Sequence, residues 1–125
     1  MANAQAQIDV LVVDDDPSQL EEITDYLIRK GLTVMTADNG LTALDMVREH
    51  SPQLVVMDIN MPQMQGDRIS QVLTSLDHKT AVILMSGFPD VYDRVSATAE
   101  GVIAVMQKPI SLKALHQTVE AVIDA

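Results

Sequence analysis

The chain predicts an α/β domain built on a parallel sheet with helices over both faces, and three observations predict it. Apolar runs of strand length alternate with amphipathic helical stretches five times. Runs such as Val10-Leu11-Val12-Val13 and Leu54-Val55-Val56-Met57 are apolar at every position, which suits strands covered on both faces and not strands with one wet face. Residues that start and stop helices punctuate each unit.

The first strand covers about Ile8 to Val13. Asp16-Pro17 then announces a helix, because Asp accepts the orphan amide hydrogens and Pro is tolerated at the first helical position. Leu20, Ile23, Leu27 and Ile28 supply its apolar stripe, and Gly31 suits a left-handed stop. Thr33 to Ala37 reads as the second strand. Asn39-Gly40 opens a helix bearing Leu41, Leu44 and Val47, and Ser51-Pro52 ends it. Leu54 to Met57 is the third strand, followed by a helix over Gly66 to Leu76. Ala81 to Met85 is the fourth strand, with a weaker helix from about Val91 to Glu100, and Val102 to Met106 is the fifth. Ser111 can cap a last helix whose Leu112, Leu115, Val119, Val122 and Ile123 face inward.

At 125 residues the chain is long enough for one domain with its own core. Its 47% apolar and 21% charged composition is that of a soluble globular protein. With 2% aromatic residues and eight Met, aliphatic and thioether side chains must fill the interior. A net charge of -10 works against direct nucleic-acid or membrane-surface binding, which needs clustered Lys and Arg. The lack of Cys excludes disulfides, thiol catalysis and sulfur-ligated zinc, and agrees with a cytoplasmic setting. Residues 1–7 read as a loose tail without the basic start or apolar stretch of a signal peptide, and residues 8–125 as the domain.

Five βα units imply a three-layer αβα sandwich. Right-handed crossovers leave few strand orders, and the flavodoxin-like order 2-1-3-4-5 sets strands one and three side by side at the topological switch point. The first strand runs into Asp14-Asp15-Asp16 and the third into Asp58, so carboxylates from distant parts of the chain meet at one sheet edge. Two carboxylates ~4 Å apart repel by about 4 kcal/mol at an effective dielectric near 20. Such a cluster calls for a cation. On this reading a divalent ion raises the melting temperature, and Asp15→Asn stabilises the ion-free form. The fourth strand ends on Ser86-Gly87 and the fifth near Lys108-Pro109, so each strand bordering the crevice brings a polar group to it.

The ordered set Val12-Val13-Asp14-Asp15-Asp16, Met57-Asp58-Ile59-Asn60-Met61-Pro62 with Gly66, Ser86-Gly87 and Lys108-Pro109 resembles the receiver domain of two-component response regulators, from Ile8 onward. The resemblance implies that Asp58 is phosphorylated by a phosphohistidine donor, a histidine kinase or histidine phosphotransfer protein. It implies that Asp15, Asp58 and the Asn60 backbone carbonyl ligate Mg²⁺, with Asp14 helping through a water. Ser86 and Lys108 would hold phosphoryl oxygens, Gly87 would keep the donor's approach open, and a cis Lys108-Pro109 bond would aim the lysine inward. Asn60 and Phe88 border the path of the hydrolytic water in the family, so Phe88 is a candidate for tuning the lifetime of the phosphorylated form. Phosphorylation would alter binding to a downstream protein or a detached output domain. The residue three before Lys108, an aromatic in many receivers, is Val105 here, which puts an aromatic rotamer switch in doubt.

Several of these residues also have plainer explanations. Helix capping accounts for Asp16 by itself, and His50, His78 and His116 share no metal-ligand spacing. The segment Val12 to Ser18 also resembles the first motif of haloacid-dehalogenase-type phosphatases, with Asp14 as nucleophile and Asp16 as acid. That family needs a late acidic pair, and after Lys108 only Glu120 and Asp124 remain.

Overall fold

The computed structural model describes residues 8–59, 80–87 and 102–123. Five strands, β1 (Val10–Val13), β2 (Val34–Ala37), β3 (Leu54–Asp58), β4 (Ala81–Ser86) and β5 (Val102–Gln107), form one sheet in the order β2-β1-β3-β4-β5. Every pairing is parallel, so the predicted order 2-1-3-4-5 is the observed one. The expected helices over Gly66 to Leu76 and Val91 to Glu100 lie outside the described residues, as do Asn60, Phe88 and the tail 1–7.

Helices α1 (Pro17–Arg29) and α3 (Leu112–Ile123) cover one face, where Ile23, Leu27, Leu115 and Val119 pack on Val10, Val12, Leu54, Val56, Ile83 and Met85. Helix α2 (Gly40–His50) covers the other, where Ala43 and Val47 pack on Leu11, Val13, Val55, Met57, Val82 and Leu84. The two lists alternate along each central strand, as the period of two requires. Burying each large aliphatic residue contributes about 1.5–3 kcal/mol, and β1 and β3 are buried at every position.

The helix ends follow their predicted chemistry. Asp16 accepts the Ser18 and Gln19 amides at the start of α1, Asn39 accepts the Thr42 amide at 2.8 Å at the start of α2, and Ser111 Oγ accepts the Ala114 amide at 3.2 Å. Gly31 lies at φ 90 after α1, and Ser51 ends α2 in the left-handed region at φ 45.

The edges differ from expectation. The edge strand β2 is half-buried over Val34, Met35 and Thr36, because one strand flank has no partner among the described residues. In β5 the pairing jumps from Val82↔Val102 to Ile83↔Ala104, so Ile103 is the extra residue of a bulge and stands 48% exposed. Ile28, expected inside, is 51% exposed, and Leu41 is 60% exposed. Each sits on the flank of its helix, about one residue's rotation from the stripe that touches the sheet. Val122 and Ile123 are half-buried where α3 nears its end.

Candidate functional site

The register of β1 against β3 builds the site. Val13 pairs with Met57, so the residues that follow, Asp14 and Asp58, emerge together at the carboxyl edge of the sheet, where open α/β sheets place their ligands. One carboxylate oxygen from each of Asp14, Asp15 and Asp58 lies within 4.8 Å of the other two. Asp14 is fully buried and Asp58 nearly so, whereas Asp15 is exposed.

Strand β5 supplies the counter-charge. Lys108 Nζ donates to Asp58 Oδ2 at 2.7 Å, and its side chain is 24% exposed against 4% for Asp58. The Lys108-Pro109 peptide is cis, as the resemblance implied. On β4, Met85 pairs with Asp58 and the next residue, Ser86, is buried beside the site. Gly87 and Pro109 are exposed at the rim. Asp14, Asp15, Asp58, Ser86, Gly87, Lys108 and Pro109 thus share one edge, and Asn60 and Phe88 lie outside the described residues.

Asp14 has a second function that the sequence did not advertise: its Oδ1 accepts the Asp16 amide at 2.9 Å, closing the turn into α1. Its Oδ2 is buried with no hydrogen-bond donor among the described residues. Burial raises the Asp14 pKa from 3.8 to about 6, and the Asp58 charge adds to the rise; the Asp16 amide and Lys108 oppose it. An unsatisfied oxygen on a buried carboxylate within this acidic cluster fits a bound cation better than a closed structural contact. Three oxygen donors with part of the sphere left to water suit magnesium.

Residues 10–120 match the family model of the response regulator receiver domain. The chain belongs to that family. Its sequence is 35% identical over 114 residues to the transcriptional regulatory protein PrrA of Mycobacterium tuberculosis, a match covering 91% of this chain and 49% of that protein. It is 30% identical over 111 residues to the transcriptional regulatory protein GlrR of Escherichia coli, covering 89% of this chain and 25% of the relative. This receiver therefore spans between a quarter and a half of these curated relatives. The crystal structure of a response regulator receiver domain protein from Clostridium thermocellum superposes with a TM-score of 0.79 at 28% identity, covering 94% of both chains. The receiver's flavodoxin-like fold and its place in two-component phosphorelay signalling follow from this membership.

Proposed function

We propose that this receiver accepts a phosphoryl group on Asp58 from the phosphohistidine of a histidine kinase or histidine phosphotransfer protein, and that the modified form changes its affinity for a downstream protein or a separate output domain. The single observation that carries the reading is the meeting of Asp58 with Lys108 at 2.7 Å while Asp58 also clusters with Asp14 and Asp15. In the transfer, an Asp58 carboxylate oxygen forms the new O–P bond while the P–N bond to the donor imidazole breaks. The ring nitrogen keeps the electron pair. A carboxylate nucleophile needs no general base.

Asp14, Asp15, Asp58 and the backbone carbonyl of Asn60 would hold Mg²⁺, which when bound supplies positive charge against the phosphoryl oxygens. Lys108 supplies a second positive charge from the β5 end, and Ser86 a hydroxyl from β4. Gly87 keeps the mouth open, and Phe88 slows hydrolysis of the acyl phosphate. The unit runs over 8–125 with 1–7 as a tail, acts in the cytoplasm and turns over no substrate besides its own phosphoryl group. It binds neither nucleic acid nor membrane directly, in keeping with a net charge of -10.

Intact mass after treatment with acetyl phosphate and Mg²⁺ tests the reading. The wild type gains one phosphoryl mass and Asp58→Asn does not. Label lost only in Asp14→Asn, together with turnover of a phosphate ester, would instead point to the dehalogenase-like phosphatase with Asp14 as nucleophile; the complete burial of Asp14 weighs against that chemistry.

A further inference from the structure

The seam between α1 and α3 holds ionisable groups that the chemistry at the carboxyl edge does not use. At its base Ile23 and Leu27 of α1 and Leu115 and Val119 of α3 are buried on Val10, Val12, Leu54 and Val56, none of which carries charge. Outside that layer the two helices meet through rings. Tyr26 and His116 pack edge to face, with centroids 6.2 Å apart and planes at 71°, and Tyr26 is itself partly buried against the same cluster.

Two charged side chains flank this ring pair. His116 Nε2 lies 3.6 Å from Glu120 Oε2, one turn along α3, with the His116 side chain 19% exposed and that of Glu120 56% exposed. Lys30 Nζ stands 5.4 Å from the centre of the Tyr26 ring, where the negative face of the ring attracts it. Among the described residues the other charged groups near the seam are Lys113, one turn before His116, and Glu22 and Arg29, one turn to either side of Tyr26. All three are exposed, so water and salt screen them.

This arrangement favours a charge on His116 in two ways. A protonated imidazole pairs with the Glu120 carboxylate, whereas a neutral one offers it no charge. Helix α3 also has no basic residue in its last turn, so Glu120 meets the negative end of the helix dipole, and a cation one turn away offsets that repulsion. Lys30 opposes a second cation beside Tyr26. Being exposed and carried on a flexible stem, it can yield into water.

We propose that His116 is a pH-sensitive clamp between α1 and α3: once protonated it is held by Glu120 beside Tyr26 and tightens the outer seam, and as pH rises and the proton leaves, the seam slackens. The charge of a histidine changes between about pH 5 and 8. The inference stands apart from the Asp58 reading.

The test is amide hydrogen exchange and NMR of the full chain, comparing wild type, His116→Gln and Glu120→Gln at matched pH. Matching cancels the intrinsic pH dependence of exchange, and Asp14, raised to about 6 at the carboxyl edge, is common to all three chains. Between about pH 8 and 5, protection of the Tyr26 to Arg29 amides in wild type rises about two- to fivefold relative to His116→Gln. Tyr26 ring signals move together with those of the His116 imidazole. In Glu120→Gln, an exposed change that leaves the fold intact, most of the gain in protection is lost. A wild-type to His116→Gln ratio that is flat with pH, or a full gain retained in Glu120→Gln, overturns the clamp.

Discussion

The two edges of the sheet use the same residue type in opposite ways. At the amino edge Asp9 is satisfied by neutral donors: its Oδ2 accepts the Thr33 amide at 2.8 Å and its Oδ1 accepts Gln53 Nε2 at 3.3 Å, tying the entry of β1 to those of β2 and β3. Beside it, Thr80 Oγ1 donates to the Pro52 carbonyl at 3.2 Å. At the carboxyl edge three acids crowd together and Asp14 keeps one buried oxygen without a donor among the described residues. One end closes its hydrogen bonds and holds the strands in register. The other leaves Asp14 Oδ2 open among the described residues, at a cost in stability, and that oxygen is where a ligand has something to gain.

The contrast is sharpened most by Lys108→Ala. It leaves Asp58 nearly buried without its cation, a loss that costs about 3 kcal/mol when a buried pair is broken; the partial exposure of Lys108 trims this toward about 2 kcal/mol. Urea unfolding in EDTA reads the loss, and saturating Mg²⁺ recovers a large part of it. A variant as stable as the wild type in EDTA would show that the carboxyl edge carries no such strain.

Asp14→Asn acts in the opposite direction. Because the folded-state pKa of Asp14 is raised to about 6 from 3.8, the folded form binds its proton more tightly than the unfolded chain does. Its contribution is fully present below pH about 4 and is lost as pH rises through about 6, on the order of 2 kcal/mol in the ion-free protein. Asp14→Asn removes that slope and stabilises the ion-free form at pH 7. The same benefit expected of Asp15→Asn shrinks, since Asp15 is exposed and water screens its charge. Melting temperature against pH in EDTA, for wild type and both variants, orders the three.

At the closed edge, Asp9→Ala costs about 1–2 kcal/mol through the Thr33 amide and Gln53 left behind. It leaves Mg²⁺ affinity and phosphoryl uptake unchanged; a drop in either would couple the two edges. The smallest effect belongs to Ser51, the left-handed cap of α2 at that same edge. Ser51→Gly relieves its positive φ and raises stability by about 0.5 kcal/mol in the same unfolding assay.

The strands and helix caps were legible because each rests on local chemistry. Val10 to Val13 and Leu54 to Met57 announce buried strands by composition, and Asp16, Asn39 and Ser111 announce caps by residue type and position. Ile28 was misplaced because a helical stripe read from spacing has no sharp flank, and which flank meets the sheet depends on where the helix lies. The bulge at Ile103 left no trace, since an apolar strand reads the same with or without an extra residue. Asp9 drew no attention because its partners, Thr33 and Gln53, are far away in sequence and are called up only by strand pairing.

For the site, the order of residues along the chain was enough to collect Asp14, Asp15, Asp58, Ser86 and Lys108 at one sheet edge, because a parallel sheet delivers every strand's end to the same side. It could not say that Asp14 would be sealed from water while Asp15 faced it, or that Lys108 would reach Asp58 within a hydrogen bond. Those outcomes follow from register and from which layer covers each side chain, and both are set by packing between segments that the local sequence does not encode.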